Sequence, residues 1–176
     1  MAALEYINPT YTVSFSGHRP QRLPGYGNPE NSEAQKLITD LQVQIENAIL
    51  RGKDTFIHGC MAGWDILASE QIIALKKIYP HIKLITVVPY TNQYFAREKC
   101  WTAEWVDRAQ MVRNQHEVEI VIAKDYRTGI YHERNRKLID YSSELICYWD
   151  GRYGGTKYTT LRARNKGLDI CNLFSE

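Results

Sequence analysis

Short apolar runs of four to seven residues alternate with helix-period segments along nearly all of this 176-residue chain. No other feature limits its folding choices so strongly. Thr12–Ser16 (TVSFS), Thr55–His58 (TFIH), Ile82–Val88 (IKLITVV), Glu117–Ala123 (EVEIVIA), Leu145–Trp149 (LICYW) and Asp169–Phe174 (DICNLF) read as strands. Helices are predicted between them over Glu33–Arg51, Trp64–Tyr79, Trp101–Gln115, Asn135–Ser143 and Thr156–Lys166. In the first helix Leu37, Leu41, Ile45, Ala48 and Ile49 recur at three- and four-residue steps and so share one face, and Gly52 supplies a stop. Parallel strands need a helix-length return, so this alternation predicts an α/β, Rossmann-like open and mostly parallel sheet with helices on both faces. The length suits one domain spanning 1–176, with its core over about 12–174.

Composition narrows the function. A 44% hydrophobic and 24% charged chain is of the globular kind, and a net charge of +2 gives little drive toward nucleic acid. No apolar run approaches the roughly 20 residues of a membrane span, so no membrane partner is expected. The N-terminal stretch MAALEYINPTY lacks the basic start and apolar core of a leader, which points to the cytoplasm. Cys60, Cys100, Cys147 and Cys171 are widely spaced, with no CxxC pair and no His/Cys cluster. Reduced thiols are expected, with no metal and no cofactor.

Ligands of open parallel sheets bind outside the carboxyl ends of the strands. Three such ends are polar and glycine-rich: Gly17-His18-Arg19 after the first, HGCMAGWD after the second and DGRYGGTKYTT after the fifth. Gly59-x-x-x-Gly63-x-Asp65 runs from a strand into a helix, where glycines let the backbone approach oxygens and the helix N-terminus offers free N–H groups. Gly154-Gly155-Thr156 repeats that logic, and phosphate is the natural guest. Each also reads as a plain turn, with Asp65 complementing the helix dipole and Thr156 capping. Tyr131 to Asp140 (YHERNRKLID) adds Arg134-Asn135 ahead of a predicted helix, arginine being suited to bidentate phosphate recognition and tyrosine to a base. Gln21–Ser32, rich in proline and glycine, is expected to be a flexible loop or lid, with Tyr26 either stacking on a base or merely exposed. Trp101, Trp105, Tyr94 and Phe95 read as core, with a homodimer contact as the alternative.

The combination of GHR, GxxxGxD, RNR and GGT, in that order and at those strand ends, resembles the SLOG superfamily over about Val13 to Ile170. That group includes the lonely-guy phosphoribohydrolases and the Smf/DprA Rossmann-like domain, and the chain is most similar to its small single-domain bacterial and phage branch. The resemblance implies a nucleotide or nucleotide-derived ligand. Gly59, Gly63 and Asp65 would line a ribose-phosphate pocket, and Gly154, Gly155 and Thr156 would hold phosphate. Gly17, His18 and Arg19 would close it, with Arg134 and Asn135 alongside. Lonely-guy enzymes carry PGGxGTxxE, whereas this chain has GGTKYTTLRA, with Tyr158 and Thr159 where acids would stand. The expectation is therefore a sensor or sequestering protein. The alternative is a nucleoside-monophosphate phosphoribohydrolase using Asp65 or Glu133 as its carboxylate. DNA binding of the Smf/DprA kind ranks third.

Overall fold

Phe56 and Ile57 are sequence neighbours, point to opposite faces of a strand and are both fully buried. A strand buried on both faces must be covered by helices on both sides. The structure, a computed structural model, describes residues 7–175; residues 1–6, part of the stretch read for a leader, and residue 176 lie outside. Its strands are β1 (Thr12–Gly17), β2 (Thr55–His58), β3 (Lys83–Tyr90), β4 (Val118–Ala123), β5 (Glu144–Tyr148) and β6 (Asp169–Asn172). They form one sheet in the order β4-β3-β2-β1-β5-β6, every neighbouring pair parallel. The helices are α1 (Ser32–Leu50), α2 (Trp64–Leu75), the short α3 (Tyr94–Arg97), α4 (Ala103–Arg113), α5 (Ile130–Asp140) and α6 (Gly155–Lys166).

Side chains of α1, α2 and α4 pack on Val13, Phe15, Phe56, Leu84 and Val88 to form the larger core. On the opposite face Leu138 of α5 meets Ile57, Ile85 and Val87, and Ile139 and Ala163 meet Leu145 and Cys147. The predicted Rossmann-like α/β fold is therefore present. The chain steps from β1 outward to β4, then returns to the other side of β1 for β5. That reversal opens a crevice between the carboxyl ends of β1 and β5, the usual ligand position in such sheets.

Several boundaries differ from expectation. The fifth helix begins at Ile130, behind the left-handed Gly129 (φ 83°), so Arg134 and Asn135 lie inside it rather than ahead of it. Helix α4 begins only at Ala103, where the Thr102 hydroxyl accepts the Trp105 N–H at 3.4 Å. The expected flexible stretch Gln21–Ser32 contains the 3-10 turns Pro20–Arg22 and Pro24–Gly27, is anchored by buried Leu23 and Gly27, and Arg108 donates to the Gly27 carbonyl at 3.1 Å. Trp101, Trp105, Ala109 and Val112 are all buried, and Tyr94 and Phe95 meet Trp101 edge-on at 5.4 and 4.8 Å. Among the described residues no helix is long and apolar enough to cross a membrane.

Candidate functional site

Parallel pairing places Gly17 of β1 beside Tyr148 of β5, so the loops that leave these strands start side by side. Together with the starts of α2 and α6 and the inner face of α5 they enclose a cavity of about 520 Å³. Of the candidate residues named from the sequence, Gly17, His18, Arg19, Asp65, Arg134, Asn135, Gly154, Gly155 and Thr156 line it. Gly59, Gly63 and Glu133 do not. Gly59 and Gly63 lie one layer beneath. A methyl on Gly59 would overlap the Arg134 guanidinium, and one on Gly63 (φ 100°) would sit 2.5 Å from the His18 carbonyl oxygen. These glycines admit protein groups, which in turn shape the cavity. Glu133 pairs with Arg127 beside a separate shallow depression that also includes Arg136. Tyr26 is 68% exposed and lies outside the lining.

Arg134 occupies a helix position that should carry an apolar side chain, yet it is buried. Its burial is explained by its partners. Nη1 donates to the Gly59 carbonyl and lies 3.9 Å from Asp65 Oδ2, while Nε donates to Asn135 Oδ1 at 2.7 Å. Asp65, in the first turn of α2, also accepts the Met61 N–H at 3.2 Å. Burial pushes the Asp65 carboxyl above its usual range, and Arg134 and the backbone donors work against that rise. Arg134 is thus engaged as a strut between α2, α5 and the loop after β2.

The same strut fixes Asn135. Because its Oδ1 accepts from Arg134, its Nδ2 is the free end, carrying two N–H donors and no acceptor among the described residues. Nδ2 faces Gly155, 4.0 Å from where a methyl on that residue would lie. Helix α6 starts at Gly155 with no side-chain cap from Gly154, so its first N–H groups also open into this space. Arg22 and Arg152, which the sequence reading missed, complete the rim. Donors converge here without acceptors, at the positive end of a helix. The arrangement suits an anion.

His18 is 6% exposed, and its Nε2 lies 2.9 Å from Asp150 Oδ1 and 3.2 Å from the Asp150 backbone N. Burial lowers the His18 pKa below its ordinary value, with Asp150 opposing. Burial alone would raise the Asp150 carboxyl, but the Arg152 N–H and His18 hold it below the usual range. Asp150 stands inside the DGRYGGT stretch, and that was the signal available for it. Arg19 turns aside to pair with Glu98. Beneath the cavity, Cys60 adopts a left-handed conformation (φ 55°). Its N–H donates to His58 Nδ1 at 3.2 Å and its carbonyl accepts the Tyr94 hydroxyl at 2.6 Å. This residue is strained and is clamped from both sides.

Comparison with known proteins agrees with this fold. A family model described as the YspA SLOG family matches residues 13–169. The SPbeta prophage-derived protein YoqJ of Bacillus subtilis is 29% identical over 137 residues, covering 73% of this chain and 80% of that protein. A UPF0398 protein of Bacillus pumilus is 23% identical over 156 residues, covering 87% and 81%. Among solved structures, DNA processing protein A from Helicobacter pylori, described for its single-stranded DNA binding mode, superposes with a TM-score of 0.61 at 18% identity. That match covers all of this chain (100%) and 69% of the other, and it shows the shared fold.

Proposed function

This chain belongs to the YspA SLOG family, and from that premise we propose that it binds a nucleotide or nucleotide-derived ligand as a sensor or sequestering protein. One observation carries the reading: Asn135 Nδ2 is held by Arg134 toward the uncapped start of α6, so that donors lacking acceptors meet at one point. A phosphate group supplies the missing acceptors. Asp65 is the buried carboxylate that faces the cavity, and it would accept from ribose hydroxyls. Met61, Leu138 and the Tyr131 ring form an apolar wall suited to a base. The volume fits a ligand of nucleotide size. The free cysteines and the nature of the ligand support a cytoplasmic setting.

The phosphoribohydrolase reading rests on the same Asp65, the carboxyl group lining the cavity, acting near the ribose. The DNA-binding mode described for the Helicobacter protein is a weaker guide, because a net charge of +2 supplies little counterion release. One incubation separates the three. The protein is mixed with nucleoside monophosphates, NAD, ADP-ribose and cyclic nucleotides, then filtered, and the filtrate is chromatographed before and after heating the retained protein. A compound that is held back and returns intact on heating is the expected result. Gly155→Asp, which places a carboxylate among the anion-seeking donors, should abolish retention while the melt shows an intact fold. Free base appearing in the filtrate would replace the binder with the hydrolase. Retention of a single-stranded oligonucleotide, with no small molecule held, would replace both.

A further inference from the structure

We infer that His18 is a proton-coupled anion contact: the anionic group of the ligand enters the cavity together with one solvent proton, which the imidazole holds between Asp150 and the ligand. This rests on the anion site proposed above and adds how that site responds to its surroundings.

The reason is a contradiction in the hydrogen bonding around Nε2. Nε2 of His18 faces both the carboxylate Oδ1 of Asp150, at 2.9 Å, and the backbone N–H of the same residue, at 3.2 Å. One ring nitrogen cannot accept from the second while donating to the first. If Nε2 is unprotonated it accepts the N–H but stands against a carboxylate lone pair. If Nε2 carries the proton it serves the carboxylate and leaves the N–H facing a donor. With a single proton the imidazole therefore also has to choose what Nδ1 offers to the cavity. Among the described residues Nδ1 has no hydrogen-bond partner, and His18 lines the cavity. The doubly protonated ring keeps the Nε2–H pair with the Asp150 carboxylate, still at the expense of the backbone N–H, and at the same time makes Nδ1–H a donor for an anion.

The charged neighbours decide when that state forms. Asp150 and Arg152 face His18 from the loop after β5, and Arg22 from the 3-10 turn after β1. Tyr148 of β5 meets the ring edge-on at 6.1 Å, and the α2 backbone contributes the Trp64 N–H to the His18 carbonyl at 3.1 Å. Asp65, His132 and Arg134 share the cavity from α2 and α5. Before ligand arrives, burial and the two arginines disfavour the imidazolium, and Asp150 alone of the groups acting on His18 favours it. An anion at the start of α6 offsets Arg22 and Arg152, and the balance turns toward the imidazolium.

The sign follows. His18 of the free protein titrates below its ordinary value of 6.5, and binding moves that value upward. Between the two values a proton is taken up on binding, so affinity falls about tenfold for each pH unit gained there and levels off on either side. The site thereby favours anions when the surroundings acidify.

Calorimetric titration tests this with two probes that hold constant charge near neutrality: sulfate and ADP-ribose. Binding is measured from about pH 5 to about pH 8.5, in buffers of contrasting ionisation enthalpy, so that proton uptake is counted directly. The expected result is an uptake approaching one proton and an affinity that declines with pH. His18→Gln should bind with no uptake and no slope. Asp150→Asn leaves the imidazole in place but removes its counter-charge, and should also lose the uptake, so the test survives if one variant folds poorly. Binding of both probes without uptake overturns the coupling and leaves the anion site standing. Uptake that persists in His18→Gln and disappears in His132→Gln overturns the assignment to His18. If neither probe binds at any pH, the anion site and the coupling fall together.

Discussion

Gly17→Ala gives a direct test of how the site is built, because two effects of opposite sign meet at one methyl group. Gly17 ends β1 outside the positive-φ region, so alanine fits its backbone. By itself that change would stabilise the fold by about 0.4–1 kcal/mol, through a less flexible unfolded chain. The structure opposes it. The new Cβ would lie 2.5 Å from Cβ and 2.6 Å from Cδ1 of Trp64, distances that no packed carbon pair adopts. Trp64 has little freedom to yield: it is fully buried, it donates Nε1–H to the Ile146 carbonyl at 3.2 Å, and its ring lies 5.5 Å from that of Tyr148. Overpacking of this kind costs about 1–3 kcal/mol. If the indole swings aside, an unpaired buried N–H adds about 1–3 kcal/mol. Subtracting the chain-entropy gain leaves a net loss of up to about 3 kcal/mol if the indole stays paired and of about 1–6 kcal/mol if it swings aside, the latter a fall of roughly 2–24 °C in Tm for a domain of this size. Thermal melting followed by near-ultraviolet circular dichroism reads both the loss and the displaced tryptophan. A variant that melts at or above the parent, with an unchanged aromatic signal, would refute the claim that Gly17 exists to seat Trp64 under the cavity.

Three other substitutions probe the layers around it. Gly155→Ala meets nothing nearer than Asn135 Nδ2 at 4.0 Å, so it should leave stability unchanged or raise it by up to about 1 kcal/mol while weakening ligand retention several-fold, because the methyl enters the space proposed for the anion. Arg134→Met strips the buried Asp65 of its neighbouring cation and should destabilise by about 3 kcal/mol, the low end for a broken buried pair given the 3.9 Å separation. The Asp65 pKa, already raised, then rises further; the stability its proton confers is present at low pH and lost as pH climbs through that value. Urea melts should therefore show a steeper decline from about pH 5 to about pH 8 than in the parent, and adding Asp65→Asn should flatten it. Tyr94→Phe removes the donor that holds the carbonyl of left-handed Cys60 and should cost about 1–3 kcal/mol, with hydrogen exchange accelerating first in the loop after β2. Uniform acceleration across the sheet would contradict that local role.

The fold was legible because its evidence is repetitive. Each strand of the sheet is announced by a short β-branched or aliphatic run, and each glycine-rich strand end is a departure from that background. Thr55–His58 was placed residue for residue, and the other strands within a few residues at either end. The strand order was not legible, since alternation states that crossovers exist without saying on which side of β1 the chain returns. The largest boundary error, the late start assigned to α5, has a more instructive cause. Along Ile130, Arg134 and Leu138 the inward stripe of the helix carries an arginine at its centre, and a four-residue apolar period is broken there. That arginine is buried because Gly59 has no side chain and because Asp65 and Asn135 receive its donors. The partners lie 69 to 75 positions away or immediately adjacent, beyond any local pattern.

The candidate site residues therefore hide in the sequence for the same reason that they stand out in the structure. A buried cation in a helix, a left-handed cysteine in a turn and a histidine between a carboxylate and an N–H each violate a local rule, and each is tolerated only because distant elements compensate for it. The same holds for Asp150. As a residue of a turn it reads as ordinary loop chemistry, and only the parallel pairing of β1 with β5, which sets Gly17 beside Tyr148, carries His18 to within 2.9 Å of its carboxylate. The choice of which strand lies next to β1 thus creates the histidine–aspartate pair, and with it the dependence on pH. A relative with the GHR and GGT motifs but without an acid at the position of Asp150 should bind its anion through the start of α6 alone, with affinity indifferent to pH across the histidine range. Asp150→Asn in this chain imitates that relative, and a pH slope that survives the substitution would show that the strand pairing, for all its proximity, does not set the proton's position.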